Sequence, residues 1–325
     1  MVEHRSPKPR VGGSSPSAPA SPRAVTLHIG AHKTASTHLQ KTLAAARADL
    51  KAAGCTYLGP DLLRRELRIP SLERPLKGIL RKSAALRAAL AEITTPRLLL
   101  SDENILGETR PPSLAQGDQL YPGAEARLGK LLAALEMEGV TLALALRDPL
   151  ALMVSGWGHQ HVAGREVSFA EYCAGVQPAA LRWSGLVERL IGCAGVRDLL
   201  LWRYEEYGGL AKEIGQRLTG LACVPVLAGG QGGALLAGPS ARALSEAAAI
   251  RRAQPGLDYK HALRRAMRRY PRGPDTPAPQ LFAPEEMAAS ARAYRDDWER
   301  LRAMEGVTCL TLSERSSATA RAVPT

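Results

Sequence analysis

The sequence predicts an α/β fold, a parallel β-sheet flanked by helices, with a helical region at its C-terminal end. Short apolar runs of strand length at 25–30, Cys55–Leu58, Arg97–Ser101, Val140–Leu146 and 196–204 alternate with segments of helical periodicity. The runs RLLLS and VTLALAL are almost continuously apolar, the pattern of strands covered on both faces. Alternation of this kind over residues 25–205 belongs to parallel sheets built from crossover units.

The elements follow in order. The first 24 residues hold five Pro and five Ser and predict a disordered tail, with no apolar run long enough for a signal peptide. After the strand at 25–30, a helix is predicted over 37–53 from Leu39, Leu43, Ala46 and Leu50, spaced by four, three and four. Gly59-Pro60 ends the strand Cys55–Leu58 by turn chemistry. Residues 64–87 carry eight basic and two acidic residues and offer Leu76, Ile79, Leu80, Ala84 and Leu86 for a buried helical face. The strand Arg97–Ser101 ends in Asp102, Glu103 and Asn104, and Val140–Leu146 ends in Arg147-Asp148-Pro149. Helices are predicted over 125–138, 150–162 and 181–191, with 196–204 as the last strand. A Gly-rich loop after Gly220 precedes helices near 239–253, 257–270 and 284–304. The expected organisation is a tail over 1–24, an α/β domain over 25–312 whose helical part spans about 239–305, and a flexible tail over 313–325.

Composition removes several classes. With 325 residues, 45% hydrophobic and 23% charged, the chain has the balance of a folded globular protein. The longest apolar stretches, at 142–146 and 199–202, fall far short of the roughly 18 to 20 residues that span a bilayer. A cytoplasmic location is expected. The five cysteines form no CxxC or Cys/His cluster at metal-ligand spacing, so reduced thiols and no metal are expected. Of 43 basic residues 34 are Arg, the side chain suited to bidentate contact with phosphate or carboxylate.

Three clusters fall at predicted strand ends. In LHIGAHKTASTHLQ a strand enters a loop holding Gly30, Lys33, Thr34, Ala35, Ser36 and Thr37 and then passes directly into a helix. That arrangement turns unpaired backbone N–H groups and the positive end of the helix dipole toward an anion, with the Lys33 ammonium and three hydroxyls beside them. A Walker A loop needs four residues between its glycines and the lysine last, whereas here only Ala31 and His32 separate Gly30 from Lys33. In RDPLALMVS, Arg147 ends a buried strand and Ser155 lies eight residues on, in the next helix, so that Arg and hydroxyl suit a second phosphate. In SDENILG the carboxylates of Asp102 and Glu103 suit a general base or a helix cap.

Together these motifs resemble those of the sulfotransferases that use 3′-phosphoadenosine-5′-phosphosulfate (PAPS), bacterial members in particular. HIGAHKTASTHLQ is similar to the family's 5′-phosphosulfate loop, with Lys33-Thr34-Ala35-Ser36-Thr37 where KTGTT or KTGST is usual. RDPLALMVS is similar to its 3′-phosphate motif, and Arg203-Tyr204-Glu205 and FAPEEMAASARAYRDDWERL resemble later signatures, so the likeness covers about 25–312. The resemblance implies a P-loop-like sheet and a sulfuryl transfer from PAPS to an acceptor hydroxyl or amine, with 3′,5′-ADP as product and no metal. It implies Lys33 and the loop through Thr37 at the 5′-phosphate, Arg147 and Ser155 at the 3′-phosphate, and Glu103 as base, with His32, His38 and Asp102 as alternatives. Ala35 departs from the family's glycine, and Arg268, Arg269 and Arg272 are candidates for a basic segment closing over the 3′-phosphate.

The basic stretches at 64–87 and 242–272 suit an acidic saccharide acceptor or peripheral contact with a membrane surface, and equally a solvated face. Three other readings compete, one of them a non-catalytic anion-binding protein of the same fold. A P-loop kinase needs the Walker register that this loop lacks. A nucleic-acid-binding protein needs a stacking platform, and the 14 aromatic residues are scattered along the chain.

Overall fold

A computed structural model describes residues 24–66, 77–222 and 238–312. In chain order the elements are β1 (Ala24–His28), α1 (Ser36–Ala45), α2 (Arg47–Ala52), β2 (Cys55–Leu58), a π-helical turn (Leu62–Glu66), α3 (Lys77–Ala91) and β3 (Arg97–Ser101). A 3-10 turn (Glu103–Ile105), the hairpin β4 (Ala115–Gln116) and β5 (Gln119–Leu120), α4 (Ala124–Leu135), β6 (Val140–Leu146), α5 (Pro149–Val162), α6 (Phe169–Tyr172) and α7 (Trp183–Ile191) follow. The last are β7 (Val196–Arg203), α8 (Tyr207–Thr219), α9 (Ala241–Ala253), α10 (Tyr259–Arg269), α11 (Pro284–Arg302) and β8 (Val307–Leu310).

Six strands form one parallel sheet in the order β2-β3-β1-β6-β7-β8. Alternate side chains serve its two faces. Leu98, Leu100, Leu142, Leu144, Leu199 and Leu201 pack beneath α4, α5, α7 and α11 through Leu128, Leu132, Leu152, Leu186, Leu190 and Leu301. Leu99, Ala143, Ala145, Leu200 and Trp202 pack beneath α1, α2 and α8 through Leu39, Leu43, Leu50, Leu210, Ile214 and Leu218. Burying each leucine is worth about 1.5–3 kcal/mol, so the two faces rather than helix propensity hold the layers together.

This topology positions the site. The chain leaves β1 toward the α1 face, but leaves its neighbours β3 and β6 toward the opposite face. Loops therefore part at the C-terminal ends of these strands and open a crevice there, the usual ligand position in open α/β sheets. His28 is level with Ser101 and Ala143, and Leu146 is level with Arg203, so the three predicted clusters and Arg203-Tyr204-Glu205 lie along one sheet edge.

Several expectations are corrected. The predicted helix over 37–53 is two helices divided at Ala46. Val196–Arg203 is not the last strand, because β8 pairs with it. The hairpin β4–β5 and helix α8 lay outside the sequence reading. On α3 the inward positions include Ser83, Leu86 and Leu90 while Ala84 is exposed, and Leu76 lies outside the described residues, as do the side chains of Ile79 and Leu80. Both terminal tails and most of the Gly-rich loop also lie outside them. The C-terminal helices agree with expectation within about two residues, and α9 and α10 pack on each other through Ala243, Ala247, Leu263 and Ala266. Cys55, Cys173, Cys193 and Cys309 are free thiols. Among the described residues, no helix is long and apolar enough to cross a membrane.

Candidate functional site

The loop after β1 is held by the sheet. Ile29 and Ala31 donate their N–H groups to the carbonyls of Ala143 and Ala145, continuing the ladder past the strand end. Gly30 has φ 108°, a conformation open to glycine, and a Cβ there would lie 3.0 Å from the Glu103 Cβ. The chain then turns through Lys33 (φ 63°) and Ala35 (φ 65°), and α1 starts at Ser36 with Ala35 as its N-cap. Ala35 thus occupies the left-handed region at the position where the resembling family carries glycine, at a cost of about 1–2 kcal/mol for an L-residue. Ala35→Gly is expected to raise unfolding stability by about 1 kcal/mol, read as a shift of the denaturant midpoint; an unchanged or lower midpoint contradicts the strain.

The hydroxyls of the loop do not all point outward. Thr34 Oγ1 and Ser36 Oγ both donate to the Ala31 carbonyl, at 2.7 and 2.8 Å, and so brace the turn. The N–H groups of Lys33, Thr34, Ala35, Ser36 and Thr37 have no hydrogen-bond partner among the described residues, which leaves five donors in the loop and first turn of α1. The sequence reading gave the anion all three hydroxyls; the protons of two are used inside the loop.

Arg147 ties β6 to this loop. Its Nη1 donates to the Lys33 carbonyl at 2.8 Å, its guanidinium lies over the Tyr204 ring at 4.6 Å, and its own carbonyl accepts from Trp183 Nε1 at 2.7 Å. Nearby carboxylates are engaged elsewhere. Asp148 caps α5 through Ala151 N–H and accepts from Ser290 on α11, and Glu205 accepts from Asp148 N–H and the Tyr294 hydroxyl. Asp297 of α11 accepts from the N–H groups of Trp183 and Ser184, a cap for α7 supplied from a distant helix.

Lys33, Arg147 and Arg272 interact electrostatically with one another, and none forms an ion pair among the described residues. Burial, followed by the charges of Arg147 and Arg272, holds the Lys33 ammonium below its ordinary pKa. Burial also lowers Arg147, with Arg272 adding to it and Tyr204, Glu205 and Asp148 opposing. Lys33 has two cations and no carboxylate acting on it, while Arg147 has Glu205 and Asp148 beside it, and an anion would relieve the repulsion at Lys33. Of the C-terminal candidates, Arg272 is the one in this cluster; Arg269 pairs with Glu246 at 3.0 Å. Ser155 is half-buried in α5.

The other side of the loop is a polar network. Glu103 Oε2 accepts from Gln40 Nε2 at 2.6 Å, and Oε1 accepts from Arg64 Nη2 at 3.2 Å. Burial pushes its carboxyl up, but the bond from Gln40, the Arg64 charge, its own N–H and His32 outweigh that and hold it below the ordinary carboxylate range. Asp102 caps the following turn through Asn104 N–H, and both of its oxygens accept from Arg64. His32 bonds to the Tyr121 hydroxyl through Nδ1 and to Asn104 Oδ1 through Nε2, each at 3.2 Å, and burial holds it below the ordinary imidazole pKa. His38 meets the Tyr207 hydroxyl at 2.9 Å. Of the four residues named as a possible base, Glu103 is the one whose side chain packs on Gly30 at the start of the loop. Gln40, Arg64 and Tyr121 were missed. Gln40 carried a signal, being polar on the apolar side of α1.

No family model matches the chain, and no curated protein does. Among solved structures, a sulfotransferase from Alicyclobacillus acidocaldarius is similar at a TM-score of 0.40 and 16% identity, over 65% of this chain and 87% of that one.

Proposed function

We propose that this protein is a PAPS-dependent sulfotransferase that transfers a sulfuryl group to an acceptor hydroxyl or amine, a saccharide being one acceptor that the basic surface suits. The observation that carries the reading is the unpaired trio Lys33, Arg147 and Arg272 beside the five free N–H groups at the start of α1. A cluster of donors from the β1 loop, β6 and the C-terminal segment suits a polyanionic nucleotide.

In this reading Lys33 and the N–H groups through Thr37 hold the 5′-phosphate end, and Arg147, Ser155 and Arg272 hold the 3′-phosphate. Bound PAPS supplies an activated sulfuryl group. Transfer forms the acceptor–sulfur bond and breaks the sulfur–oxygen bond to the 5′-phosphate, whose oxygen keeps the electron pair beside Lys33. Glu103 takes the acceptor's proton. The protein's contribution is positioning and charge stabilisation, as in phosphoryl transfer. Glu103 stays ionised because Gln40 and Arg64 hold it so, and it is ready as a proton acceptor at neutral pH.

Thermal stabilisation by 3′,5′-ADP tests the donor site. At 100 times its dissociation constant the ligand is expected to add about 2.7 kcal/mol without magnesium, and Lys33→Ala to abolish the effect. Stabilisation by ATP or GTP with magnesium, and none by 3′,5′-ADP, would replace this reading with a kinase.

A further inference from the structure

Gln40 is buried on α1 beside Leu39 and Leu43, on the side that packs against the sheet. Its Nε2 donates to Glu103 Oε2 at 2.6 Å and to Ser101 Oγ at 3.2 Å, so both N–H groups of the amide are used. Ser101 Oγ is in turn hydrogen-bonded to His28 Nδ1 at 2.8 Å, and the Tyr57 hydroxyl donates to the Gln40 backbone carbonyl at 3.4 Å. Turning the amide over would break two bonds and set its oxygen against a carboxylate. One orientation is therefore fixed. Glu103 is held from behind as well, because the preceding N–H, that of Asp102, donates to the His28 carbonyl at 3.0 Å. Its two oxygens differ. Oε2 meets Gln40 in a part-buried bond, whereas Oε1 meets Arg64 Nη2 at 3.2 Å in an exposed one, and the other bonds of that guanidinium go to Asp102.

We infer that Gln40 is a positioning residue that closes Oε2 of Glu103 and leaves Oε1, on the Arg64 side, as the oxygen that takes the acceptor's proton. The inference rests on the proposed reaction with Glu103 as base. The acceptor's O–H or N–H meets Oε1 from the exposed side, and its proton passes there as the acceptor–sulfur bond forms. The electron pair of the broken sulfur–oxygen bond stays on the 5′-phosphate. A carboxylate fixed through one oxygen presents the other in a single direction, which is the condition for a productive approach. The same bond bears on charge. Burial pushes the Glu103 carboxyl up, and Gln40 is foremost among the groups that hold it down, ahead of Arg64 and His32. The other titratable groups around it are His28 on β1, Tyr57 on β2, Tyr121 after β5 and the neighbouring Asp102.

NMR of protein with isotope-labelled glutamate carboxyls, with Glu103→Gln for assignment, follows Glu103 without an acceptor. In Gln40→Met its titration is expected to move to higher pH than in wild type, because burial is then opposed by Arg64 and His32 alone of the groups that held it down from other elements. The rate of 3′,5′-ADP formation from PAPS, read with water and with a panel of hydroxyl and amine acceptors, is expected to fall about tenfold, with 3′,5′-ADP affinity unchanged within about twofold. The acidic limb of the rate profile is expected to move up with the titration. Gln40→Asn keeps an amide but draws it back by one methylene, is expected to act in the same direction, and serves if methionine unsettles α1. The inference requires the joint result. An unmoved titration, an unchanged rate, or a rate loss matched by lost 3′,5′-ADP affinity overturns it and leaves the donor site standing. Failure of 3′,5′-ADP to stabilise the wild type overturns the reading beneath it, whatever the Gln40 variants do.

Discussion

Arg147→Ala is expected to weaken binding of 3′,5′-ADP by about 100-fold while changing the affinity for 5′-AMP about threefold or less. The large loss follows from removing a half-buried, charged donor whose contribution to a phosphate contact is about 2–3 kcal/mol. The difference between the two nucleotides isolates the 3′-phosphate. Arg147 also holds the Lys33 carbonyl, so truncation disturbs the loop to some degree, and 5′-AMP measures that disturbance. Arg147→Lys separates charge from shape, because an ammonium cannot both lie flat on the Tyr204 ring and reach the loop carbonyl. Titration calorimetry of both nucleotides is the measurement. Equal losses for the two would take Arg147 out of the 3′-phosphate site and leave it as a brace for the loop.

Glu103→Gln is expected to lower turnover by about 100-fold with 3′,5′-ADP affinity unchanged within about twofold. The substitution keeps the volume and an oxygen that accepts from Gln40, while removing the negative charge and the basic lone pair. Turnover is read as 3′,5′-ADP formed from PAPS over a panel of hydroxyl and amine acceptors. An unchanged rate removes Glu103 from the chemistry. A rate loss accompanied by equal loss of 3′,5′-ADP binding assigns it to loop support, through its packing on Gly30 and its ion pair with Arg64.

Much of this architecture was legible before any coordinates. The strands Arg97–Ser101 and Val140–Leu146 read correctly because nearly every side chain in them is buried, which demands an uninterrupted apolar run. The helices predicted from 150 and from 284 start at Pro149 and Pro284, where proline suits the first helical turn. Strand β8 was missed because an edge strand of four residues, of which Leu310 alone is fully buried, carries little pattern. Helix α8 opens with Gly208 and Gly209, poor helix formers, and is stabilised by Leu210, Ile214 and Leu218 against the sheet rather than by propensity.

Five of the six strands of the sheet, the three strand-end clusters and the chemistry of their side chains are legible in the sequence. These are local properties, set by apolar period, turn residues and short spacings along the chain. The tertiary structure alone decided which residues meet. Gln40 reaches Glu103 across 63 positions, Arg64 reaches Asp102 across 38, and Arg147 reaches Lys33 across 114. It also decided that Thr34 and Ser36 spend their protons on Ala31, and that Arg272 rather than Arg269 joins the cations at the loop. The physical reason is the sheet: parallel register brings distant strand ends to one edge, and burial there sets each group's charge through neighbours that no local spacing specifies.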